Sequence, residues 1–145
     1  MDVLKNDDGV DEPFRLNLSP DELKIDIYDL PSAPLFESGK STFTDHGMWV
    51  LSTMAWYVAN RKGLEVELQG HTKAVGHETP VEDPWVLSFK RANETRKLMA
   101  TNGVDAKRMP KVSGCANLNP LVNEPAESEL NERVSIILRL SDKQN

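Results

Sequence analysis

His71 and Cys115 carry the side chains whose chemistry would matter most. An imidazole at the end of an alternating apolar run, as His71 is, could serve as a general base or a metal ligand. No serine or cysteine nucleophile motif surrounds it, and His46 and His77 are not at ligand spacing, so a structural hydrogen-bonding role is the simpler reading. Cys115 would be a nucleophile only with a depressed pKa. Placed between Gly114 and Ala116 at the end of a short strand pattern, it reads instead as a small core residue. Gly70, Gly103 and Gly114 read as turn glycines, and no phosphate-binding glycine loop is present. No catalytic residue, metal set or cofactor site can be assembled from these residues, which argues against an enzyme.

Arg91 is the informative charge. It lies between Leu87 and Ala92, within a turn of positions that face a core, so its guanidinium emerges at the edge of the packed face. It reads either as a solvated helix arginine or as a fork that grips a carboxylate through two parallel hydrogen bonds. Arg133, at the start of the last apolar run, carries the same two readings. Trp85 reads as packing over a helix start.

These residues need elements to hold them. Leu23, Ile25 and Ile27 alternate with polar neighbours, a half-buried strand stopped by Pro31 and Pro34. Thr44 or Asp45 can cap a helix carrying Met48, Leu51, Ala55 and Val58, ended by Gly63. Val66 and Leu68 mark a second strand running into Gly70-His71-Thr72-Lys73, followed by a loop with Gly76 and Pro80. Asp83-Pro84 is a strong helix start, because aspartate caps free amides and proline fits the first helical position. Leu87, Ala92, Thr95, Leu98 and Met99 form that helix's face, and Gly103 ends it. A short strand over 109–113, a long polar loop over 117–130 and a last strand through Val134, Ile136 and Leu138 complete the order β-α-β-α-β-β. Strands alternating with helices of this length predict an α/β sandwich (α+β), with the helices on one face of a mixed sheet.

Length and charge fit one domain. The 145 residues are 39% hydrophobic and 28% charged, enough to bury a core without disulfides or a structural metal. No apolar run approaches the ~20 residues of a membrane helix, and no signal peptide is visible in the sequence as given. The net charge of −6 argues against a nucleic-acid partner. Asp2, Asp7, Asp8, Asp11 and Glu12 stand against Lys5 alone in the first 13 residues. The expected division is an acidic tail or linker over 1–20, with structure beginning after Pro20, a domain over 21–141, and a C-terminal tail over 142–145.

Gly70-His71-Thr72, Leu87-Ser88-Phe89-Lys90-Arg91-Ala92, Gly103-Val104 and Asn131-Glu132-Arg133-Val134 together resemble the ordered blocks of the OmpA-like peptidoglycan-associating domain. Those blocks read G-H-T-D, L-S-x-x-R-A, G-[VI] and N-R-R-V, and the resemblance spans roughly residues 23–140. Leu35 to Ser41, the long interval from Lys73 to Arg91, and Trp85-Val86-Leu87-Ser88 are similar to the periplasmic domain of the MotB type within that family. The resemblance implies non-covalent, non-catalytic binding of the peptidoglycan peptide stem, anchoring a flagellar stator to the cell wall. It also implies a periplasmic domain of an inner-membrane protein whose membrane helix lies outside this chain, a homodimer, and a stator partner subunit met through that membrane segment. The binding residues it implies are Arg91, Arg133, Thr72, Leu87, Lys73 and Asn131.

The sequence departs from the family pattern at two charges. The ammonium-binding Asp of G-H-T-D is Lys73 here, and the first Arg of N-R-R-V is Glu132. A ligand ammonium ~4 Å from Lys73 would be repelled by about 4 kcal/mol at an effective dielectric near 20. Either Glu78, Glu82 or Asp83 supplies the missing anion, or the domain takes a different stem. The alternative is a domain that keeps the fold for dimerisation or protein interaction.

Overall fold

The computed structural model describes residues 13–75 and 82–141. Five strands, β1 (Phe14–Leu18), β2 (Glu22–Tyr28), β3 (Leu64–His71), β4 (Lys111–Gly114) and β5 (Arg133–Leu140), form one sheet in the order β1-β2-β5-β3-β4. Only β3 and β4 run parallel, joined by helix α2 (Pro84–Thr101); the other neighbours are antiparallel. Helix α1 (Asp45–Ala59) links β2 to β3. Both helices pack on one face of this mixed sheet, as the alternating pattern predicts.

Strand period puts Ile25, Ile27, Val66, Leu68, Val134, Ile136 and Leu138 on the helix side, where they meet Leu51, Ala55, Val58, Ala92 and Met99. Thr44 caps α1 by accepting the Gly47 N–H at 2.9 Å. Asp83 caps α2 by accepting from the Trp85 N–H at 2.8 Å, with Pro84 in the first turn. β5 is buried on both faces from Arg133 to Leu138, as its apolar run suggests.

Three expectations change. Phe14 to Leu18, expected within the tail, form a strand ahead of Pro20 that pairs in register with Leu23 to Ile27 at the sheet edge, while residues 1–12 lie outside the described residues. The alternation Phe14-Arg15-Leu16-Asn17-Leu18 is present in the sequence, but prolines on either side mask it and Leu18 stays 83% exposed. Met48 lies 44% exposed outside the core. Helix α1 ends at Ala59 with Asn60 as its cap, before Gly63. His77 and the Gly76-Pro80 loop, like the 142–145 tail, lie outside the described residues.

Candidate functional site

Helix α2 reaches its position because two strand residues lack side chains. A Cβ on Gly70 would sit 2.0 Å from the Ser88 carbonyl oxygen, and one on Gly114 would sit 2.6 Å from the Phe89 nitrogen. These two glycines are therefore close-approach positions, where the sequence suggested turns. With the helix backbone pressed on β3 and β4, the Ser88 hydroxyl accepts the Ala116 N–H at 3.0 Å. One turn on, Arg91 is carried under the connection between β2 and α1.

An open groove of about 600 Å³ lies at this end of the sheet. Its walls are the β2–α1 connection with Asp29, Phe36 and Ser38, the segment after β3 with Lys73, the first turns of α2 with Leu87 and Arg91, and the approach to β5 with Glu129 and Glu132. The turn Glu37–Lys40, closed by Lys40 N–H donating to the Glu37 carbonyl at 2.9 Å, uses Gly39 at φ +68°. That turn aims the Lys40 carbonyl inward.

Arg91 is only 4% exposed, and its charge is used within the chain. Nε donates to the Lys40 carbonyl at 2.8 Å, and Nη1 donates to Glu132 Oε1 at 2.8 Å and to Asp29 Oδ2 at 3.5 Å. The guanidinium also lies over the Phe36 ring, 4.7 Å from its centroid. Asp29 is held in turn by the Leu35 and Phe36 N–H groups at 2.6 and 3.3 Å. The second oxygen of Glu132 accepts the Lys73 backbone N–H at 2.9 Å, while the Lys73 ammonium bonds Glu129 Oε1. Both groove cations thus face carboxylates of the same chain.

The other predicted residues scatter. Leu87 and Glu82 line the groove, and Glu82 pairs with Lys90 at 2.9 Å. Asp83 is a helix cap and Glu78 lies outside the described residues. Thr72, Asn131 and Arg133 do not line it. Asn131 is buried and clamps the 117–130 loop: its Oδ1 accepts the Leu121 N–H at 2.7 Å and its amide donates to the Pro125 carbonyl at 2.9 Å. Sequence reasoning missed Asp29 and Glu129. Neither belongs to a periodic pattern, and only the fold sets them against Arg91 and Lys73.

Arg133 sits on the sheet face away from the helices. Its Nε faces Asp26 at 3.4 Å, Nη2 donates to the Asn119 carbonyl at 3.0 Å, and the Ser135 hydroxyl donates to the same Asp26 oxygen. Burial pushes the guanidinium's pKa down against the pull of Asp26. Burial, with Asp26 beside it, pushes Tyr28 up to about 12. His71 is held neutral, its pKa lowered to about 3 by burial and by Arg133 and Lys24. Its Nε2 meets Gln69 Oε1 at 3.1 Å, the structural role that its sequence setting suggests. Burial raises the pKa of the Cys115 thiol, which opposes thiolate formation.

The OmpA family model matches residues 35–133. Motility protein B of Escherichia coli strain K12 is 25% identical over 127 residues, covering 86% of this chain and 41% of that protein. The chain therefore spans about two fifths of the length of that curated relative. Among solved structures, the periplasmic domain of Helicobacter pylori MotB superposes with a TM-score of 0.71 at 18% identity, covering 87% of this chain and 88% of that one. The cell wall anchor of the T6SS from Pseudomonas aeruginosa gives 0.71 at 23% identity, covering 89% of each chain.

Proposed function

The chain belongs to the OmpA family, and from that membership we propose that it binds peptidoglycan without catalysis, as the wall-anchoring periplasmic portion of a MotB-type flagellar stator. One observation carries the reading. Lys73, Arg91 and Glu132, which lie in three separate family blocks, converge on a single open groove large enough for a short peptide. Leu87, Phe36 and the Pro31–Pro34 segment offer apolar wall, and the groove's charged groups offer orientation. Periplasmic placement, a homodimer and a stator partner subunit belong to the same proposal.

Isolated sacculi test it. The chain should sediment with sacculi at low salt, and Ser38→Trp, which fills the groove from an exposed turn, should lose that retention while melting at an unchanged temperature. Equal retention of both proteins would remove the groove from the mechanism.

A second reading has its own support. Arg91 and Lys73 are already engaged by Glu132, Asp29 and Glu129, and Trp49 and Trp56 stand 68% and 62% exposed on α1. A domain that keeps the fold for self-association would have these features. Sedimentation equilibrium showing a dimer, with no retention on sacculi, would favour it.

A further inference from the structure

A guanidinium N–H and a nearby backbone N–H pointing at one spot form a receptor for a carboxylate. Here Arg91 Nη1 and the Lys73 N–H make that pair, and the receptor is filled. Glu132 puts one oxygen on each donor, at 2.8 and 2.9 Å, with its side chain 16% exposed at the groove wall. Nε of Arg91 is committed to the Lys40 carbonyl, and Asp29 brings a second negative charge to the same guanidinium.

We propose that Glu132 sets the specificity of this groove by occupying its carboxylate receptor, so that the groove accepts a peptide ammonium not flanked by a free carboxylate. The inference rests on the wall-binding reading above and refines it. Asp29, Glu37, Glu82, Glu129 and Glu132 line the groove against the two cations Arg91 and Lys73. An incoming carboxylate would have to displace Glu132 and remain in this negative surround. An incoming ammonium meets the exposed Glu37 at the rim and shares Glu129 with Lys73, within a lining where carboxylates outnumber cations, and it leaves Glu132 on its two donors. The fitting stem residues are therefore lysine, or a diamino diacid whose side-chain carboxyl is amidated. The free diamino diacid carries the one extra charge that the groove excludes.

Calorimetric titration of the 145-residue chain with three tetrapeptides, L-Ala–γ-D-Glu–X–D-Ala, decides the matter. X is free meso-diaminopimelate, its side-chain amide, or L-lysine. The amide and lysine peptides should bind at least about tenfold more tightly than the free diacid, and Glu132→Ala should reverse that order by opening the receptor. Glu132→Gln keeps the side chain's shape and removes its charge, so it should narrow the discrimination even if the alanine variant folds poorly. A wild-type preference for the free diacid, or an order unmoved by the glutamine variant, would overturn the inference and leave wall binding standing if sacculi still retain the chain. Failure of sacculi and all three peptides to bind would overturn both.

Discussion

At the scale of the residue, Arg91 is a structural tie before it is anything else. It joins α2 to the β2–α1 connection through Lys40, Asp29 and Phe36, and to the start of β5 through Glu132. Removing one partner of a buried charge cluster leaves the others uncompensated, at a cost of about 3–5 kcal/mol. Arg91→Ala should therefore lower stability by that order in urea denaturation, and loss of sacculus retention in that variant would report unfolding as well as binding. Arg91→Lys keeps the charge but cannot serve Lys40, Glu132 and Asp29 from one plane, so it should recover only part of the loss. A melt unchanged by Arg91→Ala would show that the guanidinium is not buried in its acid web.

Secondary-structure elements meet here through absent side chains. Gly70 and Gly114 let α2 lie directly on β3 and β4. With a Cβ 2.0 Å from the Ser88 oxygen, Gly70→Ala must push the helix off the strand. Overpacking of this kind costs about 1–3 kcal/mol or more, and the displaced helix would carry Arg91 and Leu87 away from the groove. The expected outcome is a lower melting temperature together with weaker sacculus retention. Helix starts at Thr44 and Asp83 were legible because capping and proline placement act within a few residues. β1 was not, because its apolar side chains gain little burial at the sheet edge, and an edge strand is defined by its partner rather than by its own pattern.

For the whole molecule, the sheet face away from the helices is polar and still buried, with Asp26, Glu67, His71, Arg133 and Ser135 all under 5% exposed. Among the described residues, Tyr28 OH, His71 Nδ1 and Thr72 Oγ1 are buried without a hydrogen-bond partner. This face gives the fold a pH dependence. The His71 pKa falls from 6.5 to about 3 on folding, so between these values the unfolded chain binds the extra proton and stability drops as pH falls. The loss approaches about 1.4 kcal/mol per pH unit within that window and vanishes above it. Urea unfolding at pH 7, 6 and 5 should show a steeper decline for the wild type than for His71→Gln. Parallel declines would mean that the imidazole is protonated in the folded state.

Taken alone, the sequence determined what short-range physics determines: the alternation of β2, β3 and β5, the caps of both helices, the layer order, and the family, through blocks whose spacing survives at low identity. It also marked Lys73 and Glu132 as charges out of place. Only the tertiary structure decided what those charges do. Glu132 reaches Arg91 across 41 residues and Asp29 reaches it across 62, and no periodicity encodes a contact of that range. Arg133 and Arg91 looked equivalent in the sequence, yet β5 points Arg133 to the face opposite the helices, where it closes on Asp26. A side chain's partners follow from where the backbone places it, and that placement is set by packing of the whole sheet and helix layer.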